Sequence, residues 1–543
     1  MGEYVAGLLR GEGGHFCAGG DIAEYPSFRF NEAELRQFQK AEKGGSAGRN
    51  AFQAGHIKQQ AAGKLASLCG WTEKARLPDV QNLAGFLQAQ PLETTLVGEK
   101  PPLQTPQANA AGLVEFKASY SRPFLAHASI GPSCAVALWQ ADPRGDGEAT
   151  TLEVWSHTQG IFNLRSDLAL MLNLPPQAIT VHHVEGAGCY GHNGADDVAA
   201  DAALLARAVP GQPVQVVWSR EDELGMAPFG PAMQMQLSAR VDRNAPDGVC
   251  IASWQHDVWS NGHGSRPGRG QVPVLLAANL IEAAFAQQVS VNAPLAAGGG
   301  AERNAVPLYA FPAFKAVSHR LLAMPVRSSA LRSLGAHGNV FAAESFMDEI
   351  AHAMQQDPLA FRLRHLEDAR ARDVLLAAAD SSGWASQKAE DACAQGLAVS
   401  RYKGTGAYCA AVARVDASRD LRVTDLWIAV DVGLVVNPDG VANQIEGGAI
   451  QTVSWVLKEA VQFDATRITS NTWDTYPILR FSEVPRVHVQ IIGRPAEKSV
   501  GAGEATHGPV AAAIANALFN ATGVRVRDMP FTPDRIRQAA LAQ

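Results

Sequence analysis

Cysteine is scarce in this chain and badly spaced for metal chemistry. Its seven cysteines, Cys17, Cys69, Cys134, Cys189, Cys250, Cys393 and Cys409, include no Cys-x-x-Cys pair. Zinc ribbons, iron–sulfur ligation and disulfide scaffolds all lack their spacing here. Free thiols in a reducing compartment fit best, which predicts a cytoplasmic location, with a periplasmic one left open. Long hydrophobic runs are missing as well: none reaches 18 residues, so no membrane span is expected. The chain opens without a basic segment before an apolar stretch, which argues against a signal peptide. Positive charge is not in excess. The 46 Lys and Arg against 53 Asp and Glu leave −7, which argues against nucleic acid as a partner. HExxH, GxSxG and an intact phosphate loop are also lacking.

What remains is a large soluble-type core. Hydrophobic residues make up 47% of the 543 and charged residues 18%, which excludes global disorder. At about 150 residues per domain the length allows three or four domains, or two large ones. Strands are expected at 114–120, 133–139, 151–157, 179–186, 214–220 and 484–492, with hairpins over 235–259 and 406–433. Helices are expected at 52–68, 162–172, 197–209, 339–352, 357–379, 443–461 and 507–522. The fold class is α+β, with two similar units over roughly 114–335 and 400–540.

Glycine-flanked loops carry the chemistry. In SVGAGEATHGP (499–509), Glu504 follows Gly501 and Gly503 and precedes a helix. It is either a general base or a cap for that helix. The loop VEGAGCYGHNGADD (184–197) nearly matches a dinucleotide fingerprint, but its following strand lacks the acidic ending that a Rossmann unit needs. Cys189 there is expected to be a packed thiol. A strand end offers Gln159, and Asn443 with Gln444 sits at an expected helix start. His182 and His183 alternate on a strand and cannot easily share a metal. His127 is expected to be a satisfied core histidine. Four such loops argue for a large cofactor cradled by backbone.

Several ordered segments carry a family resemblance. They are YSRPFLAHASIGPSCAVA (120–137), VWSHTQGIFNLR (154–165), GCYGHNGADD (188–197) and QPVQVVWSREDE (212–223). LRSLGAHGN (331–339), AVDVGLVVNPDGVANQIEGG (429–448), DTYPILRFSEVP (474–485) and VGAGEATHGP (500–509) continue the series. The chain resembles the molybdopterin-binding large subunits of the xanthine dehydrogenase and aldehyde oxidase family over about 55–540. The isoquinoline 1-oxidoreductase and nicotinate dehydrogenase type is most similar. The resemblance implies molybdenum held by a pterin dithiolene, in the molybdopterin cytosine dinucleotide form, with no metal ligand from the protein. It implies Glu504 as the base that takes a proton while water-derived oxygen reaches an electron-poor carbon. Gln159, Tyr190, Gly191, Arg332, Gln444, Gly501 and Gly503 match the family's cofactor-facing positions. A small [2Fe–2S] subunit is the implied partner, with a cytochrome or another acceptor beyond it. The implied substrate is an aromatic N-heterocycle or an aldehyde.

The chain also departs from the family pattern. The fold is expected to be of the xanthine oxidase type, shortened at the N-terminus and in the middle, between 380 and 405. Tyr190 stands where the family has Phe, and His192-Asn193-Gly194 replaces the acidic substrate-pocket residue, so substrate preference does not transfer. GEGGHFCAGGDIAEYPSFRF (11–30) resembles the oxyanion-hole loop of the enoyl-CoA hydratase (crotonase) family, but no second half follows. The expected domains are a crotonase-like fragment and junction (1–50), a remnant of an α/β domain (51–113), and two cofactor-binding domains (114–335 and 336–543). Two alternatives to a working hydroxylase stay open: a non-catalytic relative or scaffold, and a crotonase-type enzyme.

Overall fold

Three larger sheets organise the computed structural model. It describes residues 77–101, 112–141, 150–386 (except 247 and 282) and 392–542, with two short strands, Leu8–Arg10 and Phe16–Ala18. Apart from those two strands, the crotonase-like segment lies outside the described residues, as does the helix expected at 52–68.

The first sheet runs in the order Leu92–Lys100, Ala313–Leu321, Cys250–Asn261, Met233–Asp242 and Leu113–Arg122. Its centre is the expected hairpin, with Trp254 opposite Ala239. Apolar and polar residues alternate along Leu237–Asp242, so one face enters the core. The second sheet joins Ile179–His183, Thr151–Ser156, Cys134–Gln140 and Pro213–Val217. The third joins Cys393–Arg401, Tyr408–Asp416, Arg422–Asp431 and Arg486–Ile491. Each sheet contains one parallel pair: 250–261 with 313–321, 151–156 with 179–183, and 422–431 with 486–491. A parallel pair needs a crossover connection, and these crossovers become the site loops.

The helix His507–Thr522 lies against the third sheet. Its alanines allow close approach: a β-carbon on Gly396 would stand 2.1 Å from the Ala517 nitrogen. A second helix, Ala336–Ala353, packs on it and carries buried charge inward. Glu344 receives Arg362 Nε at 2.8 Å and Tyr309 Oη at 2.5 Å, both in the core. Satisfying every oxygen is what makes such burial tolerable.

Two helix expectations need correction. The run 357–379 is two helices, Pro358–His365 and Ala369–Ser382, because Asp368 accepts from Arg370 N and Ala371 N and starts a new helix. The helix expected at 443 begins at Pro438, capped by Asn437 through Gly440 N at 3.0 Å. Asn443 and Gln444 therefore sit one turn inside it. No described helix is long and apolar enough to cross a membrane.

Candidate functional site

Glu504 is not the cap of its helix. The N-cap position is Thr506, and no side chain caps there. The carboxylate points elsewhere: Oε1 accepts from the Ser333 backbone N–H at 2.7 Å and Oε2 from Tyr402 Oη at 2.8 Å. Ser333 presents that N–H from a turn in which it and Leu334 both have positive φ, 74° and 52°. Non-glycine residues adopt this conformation only when their surroundings impose it.

Arg332, one residue earlier, ties three segments together. Its Nε donates to Gly503 O at 2.6 Å, Nη1 to Gln451 Oε1 at 3.3 Å, and Nη2 to Gln444 O and Oε1, each at 3.1 Å. Burial lowers its pKa, and the Glu504 charge opposes that shift. Gln444 is exposed, and a β-carbon on Gly503 would touch its Oε1 at 3.2 Å. Gly501 faces open space and has no positive φ.

The 188–192 loop joins from a distant part of the sequence. Arg332 N donates to Tyr190 O and His192 N to Ala330 O, both at 2.8 Å. Tyr190 has φ 57° and packs with Leu125, Leu331 and Trp455. Burial pushes the Cys189 thiol up to about 11, so it is a packed thiol at neutral pH. His127 is buried, with Nε2 3.0 Å from Ala330 O. His182 lies against Trp155, 4.9 Å between ring centres, and pairs with Glu153 at 3.1 Å. His183 Nδ1 reaches Thr158 O.

Gln159 is exposed at the end of its strand and accepts from Arg266 Nη2 at 3.1 Å. Arg266 also feels the charges of Asp196 and Glu504, which puts it in the same field. Sequence reasoning missed Arg266, Tyr402 and the Ser333 N–H. The loop GHGSRPGRG held a signal for the first, since glycines beside two arginines suit an anion-facing loop.

Among the described residues, no group of three His, Cys, Asp or Glu side chains could hold a metal ion directly. A metal at this site must bring its own ligand frame. Two arginines, two glutamine amides and open glycine backbone suit a polar, anionic group of that kind. Ser333 Oγ and Thr506 Oγ1, both buried and flanking these residues, have no partner in the described structure. The residues therefore fit a pterin cofactor.

Comparison with known proteins defines the class. Two models described as molybdopterin cofactor-binding domains match residues 104–286 and 330–485. The fold is that of quinoline 2-oxidoreductase from Pseudomonas putida 86, with a TM-score of 0.69 and 16% identity over 89% of this chain and 84% of that one. A nicotinate dehydrogenase subunit of Pseudomonas putida is 37% identical over 86% of this chain and 38% of its own length. The beta subunit of isoquinoline 1-oxidoreductase from Brevundimonas diminuta is 31% identical over 72% of this chain and 47% of its own length. The chain belongs to the molybdopterin-binding subunits of the xanthine dehydrogenase family. It spans less than half the length of either of these two relatives.

Proposed function

We propose that this chain is the large subunit of a molybdenum hydroxylase that oxidises an N-heteroaromatic compound or an aldehyde. The carrying observation is the convergence of Glu504, Arg332, Gln444 and the 188–192 loop on one site. Nicotinate, isoquinoline and quinoline, named in the similar proteins, are all N-heteroaromatics. That favours the heterocycle over the aldehyde.

The cofactor, bound as molybdopterin cytosine dinucleotide, supplies the two-electron oxidation. The chain supplies binding and proton handling. Arg332 and Gln444 hold the pterin side of the site, with Gly501 and Gly503 as bare backbone against it. Gln159, oriented by Arg266, donates an amide hydrogen bond to the polar face of the bound group. Tyr190 and Gly191 line the approach to it. Glu504 takes the proton released as water-derived oxygen joins the substrate carbon. Electrons leave to a small [2Fe–2S] subunit and then to a cytochrome or another acceptor.

The test is cofactor content. The chain is expressed with its small subunit in a host that makes the cofactor, and molybdenum and released pterin are measured. About one molybdenum per chain is expected, from one site of this kind. Absence of both from a folded complex overturns the proposal in favour of a non-catalytic relative.

A further inference from the structure

The residue that holds Glu504 Oε2 has its own support. Tyr402 follows the strand Cys393–Arg401 in a tight turn, where Lys403 and Gly404 have φ 47° and 68°. Arg303 Nη1 donates to the Tyr402 oxygen. A guanidinium has no acceptor, so the direction of both bonds is fixed. The single phenolic proton goes to Glu504. Burial and the Glu504 charge push the phenol well above its ordinary range, so that proton stays on Tyr402.

Arg303 is buried, and it forms no ion pair with a carboxylate among the described residues. Its other bonds end on the carbonyls of Gly298 at 3.1 Å, Gly299 at 2.6 Å and Ala297 at 3.5 Å. The carboxylate it serves is Glu504, through Tyr402. The framework is firm. Asn304 Nδ2 donates to Arg401 O, and its Oδ1 accepts from Lys403 N, both at 2.8 Å. Asn339 Nδ2 donates to the Ala301 and Arg303 carbonyls.

We propose that Arg303 and Tyr402 are positioning residues that aim Glu504. The proposal rests on the reading of Glu504 as the base. Each Glu504 oxygen faces a donor, an arrangement that matches a carboxylate. A proton arriving on Oε2 must displace the Tyr402 bond. The other groups facing Glu504 are Arg332 from the 331–335 turn, Arg266 from the 262–270 loop and His507 on its own segment. Burial holds His507 neutral, and the two arginines stay charged, so none of them titrates in competition near neutral pH.

Tyr402→Phe tests this, in the full chain with its small subunit. The turnover number should fall roughly tenfold with KM and molybdenum content unchanged, because aim matters in the transition state and not in substrate binding. A second readout needs neither cofactor nor turnover. Glutamate is labelled with carbon-13 at its carboxyl, and the Glu504 resonance is identified by its loss in Glu504→Gln. Its chemical shift at neutral pH should move in Tyr402→Phe, because the carboxylate loses the donor on Oε2. An unmoved resonance overturns the proposal. If the complex binds no molybdenum, the hydroxylase reading fails while the carbon-13 resonance still decides this one.

Discussion

A β-carbon on Gly191 would stand 2.1 Å from the carbonyl oxygen of Ala330. Gly191 also has φ 130°, which disfavours any side chain there. Two loops distant in sequence meet at this point, bridged at Gly191 and Leu331. Gly191→Ala must part them. We expect a stability loss of about 1–3 kcal/mol in urea unfolding and a fall in bound pterin. Wild-type values for both would refute the close-contact argument.

Glu504→Gln should lower turnover by roughly 10²–10⁴-fold, the usual share of a positioned base, with bound molybdenum retained. The amide has one oxygen for two donors, so its nitrogen must face either Ser333 N–H or Tyr402 Oη. A small loss in thermal midpoint should accompany the loss of rate. Retained turnover would sink the base assignment.

Arg332→Lys keeps the charge and loses the fork. A single ammonium cannot reach Gly503 O, Gln451 and Gln444 together. The 499–504 loop should loosen, and pterin should leave roughly tenfold faster on dialysis, equivalent to about 1.4 kcal/mol. Release at the wild-type rate would show that these bonds do not retain the cofactor.

Asp201 gives a pH prediction of the opposite sense to an ordinary ion pair. It is buried, accepts from Trp218 Nε1 at 2.9 Å, and burial raises its pKa to about 7. The folded state thus holds a proton that the unfolded state releases near pH 4. This contribution is full below the unfolded pKa and is lost as pH rises toward 7. Asp201→Asn should therefore flatten the decline in stability between about pH 4 and 7. Urea midpoints across that range measure it, and an unchanged slope would reject the assignment.

Regular elements were legible where period and punctuation agreed. The helix expected at 507–522 is His507–Thr522, closed by Gly523 in a left-handed conformation. The hairpin around 243–249 was plain from its polar turn between alternating strands. Asp368 starts a new helix where the helical pattern runs on through both sides of it, so the break does not show in the periodicity. The site was legible only as separate parts. Glu504 and Gln444 stood out as polar residues in glycine-flanked loops and Arg332 through the family resemblance, but their arrangement rests on distant contacts. Ser333 lies 171 residues from Glu504 and Tyr402 lies 102 away. Ser333 donates through its backbone, so its side-chain type carried no signal. Tyr402 looked like any aromatic beside a strand, and only the turn at Lys403 aims it.

The three parallel strand pairs set an order in time. Gln159 lies on the crossover between 156 and 179, Arg266 and Arg303 on that between 261 and 313, and Gln444 on that between 431 and 486. None of these loops is fixed until the strand that closes its crossover has docked. Glu504 follows all three in the sequence. On the ribosome the pocket is therefore unfinished until the 499–504 segment has emerged and docked. Contacts this distant form late and slowly. Whatever the pocket encloses is fully held only after every one of these segments has been made.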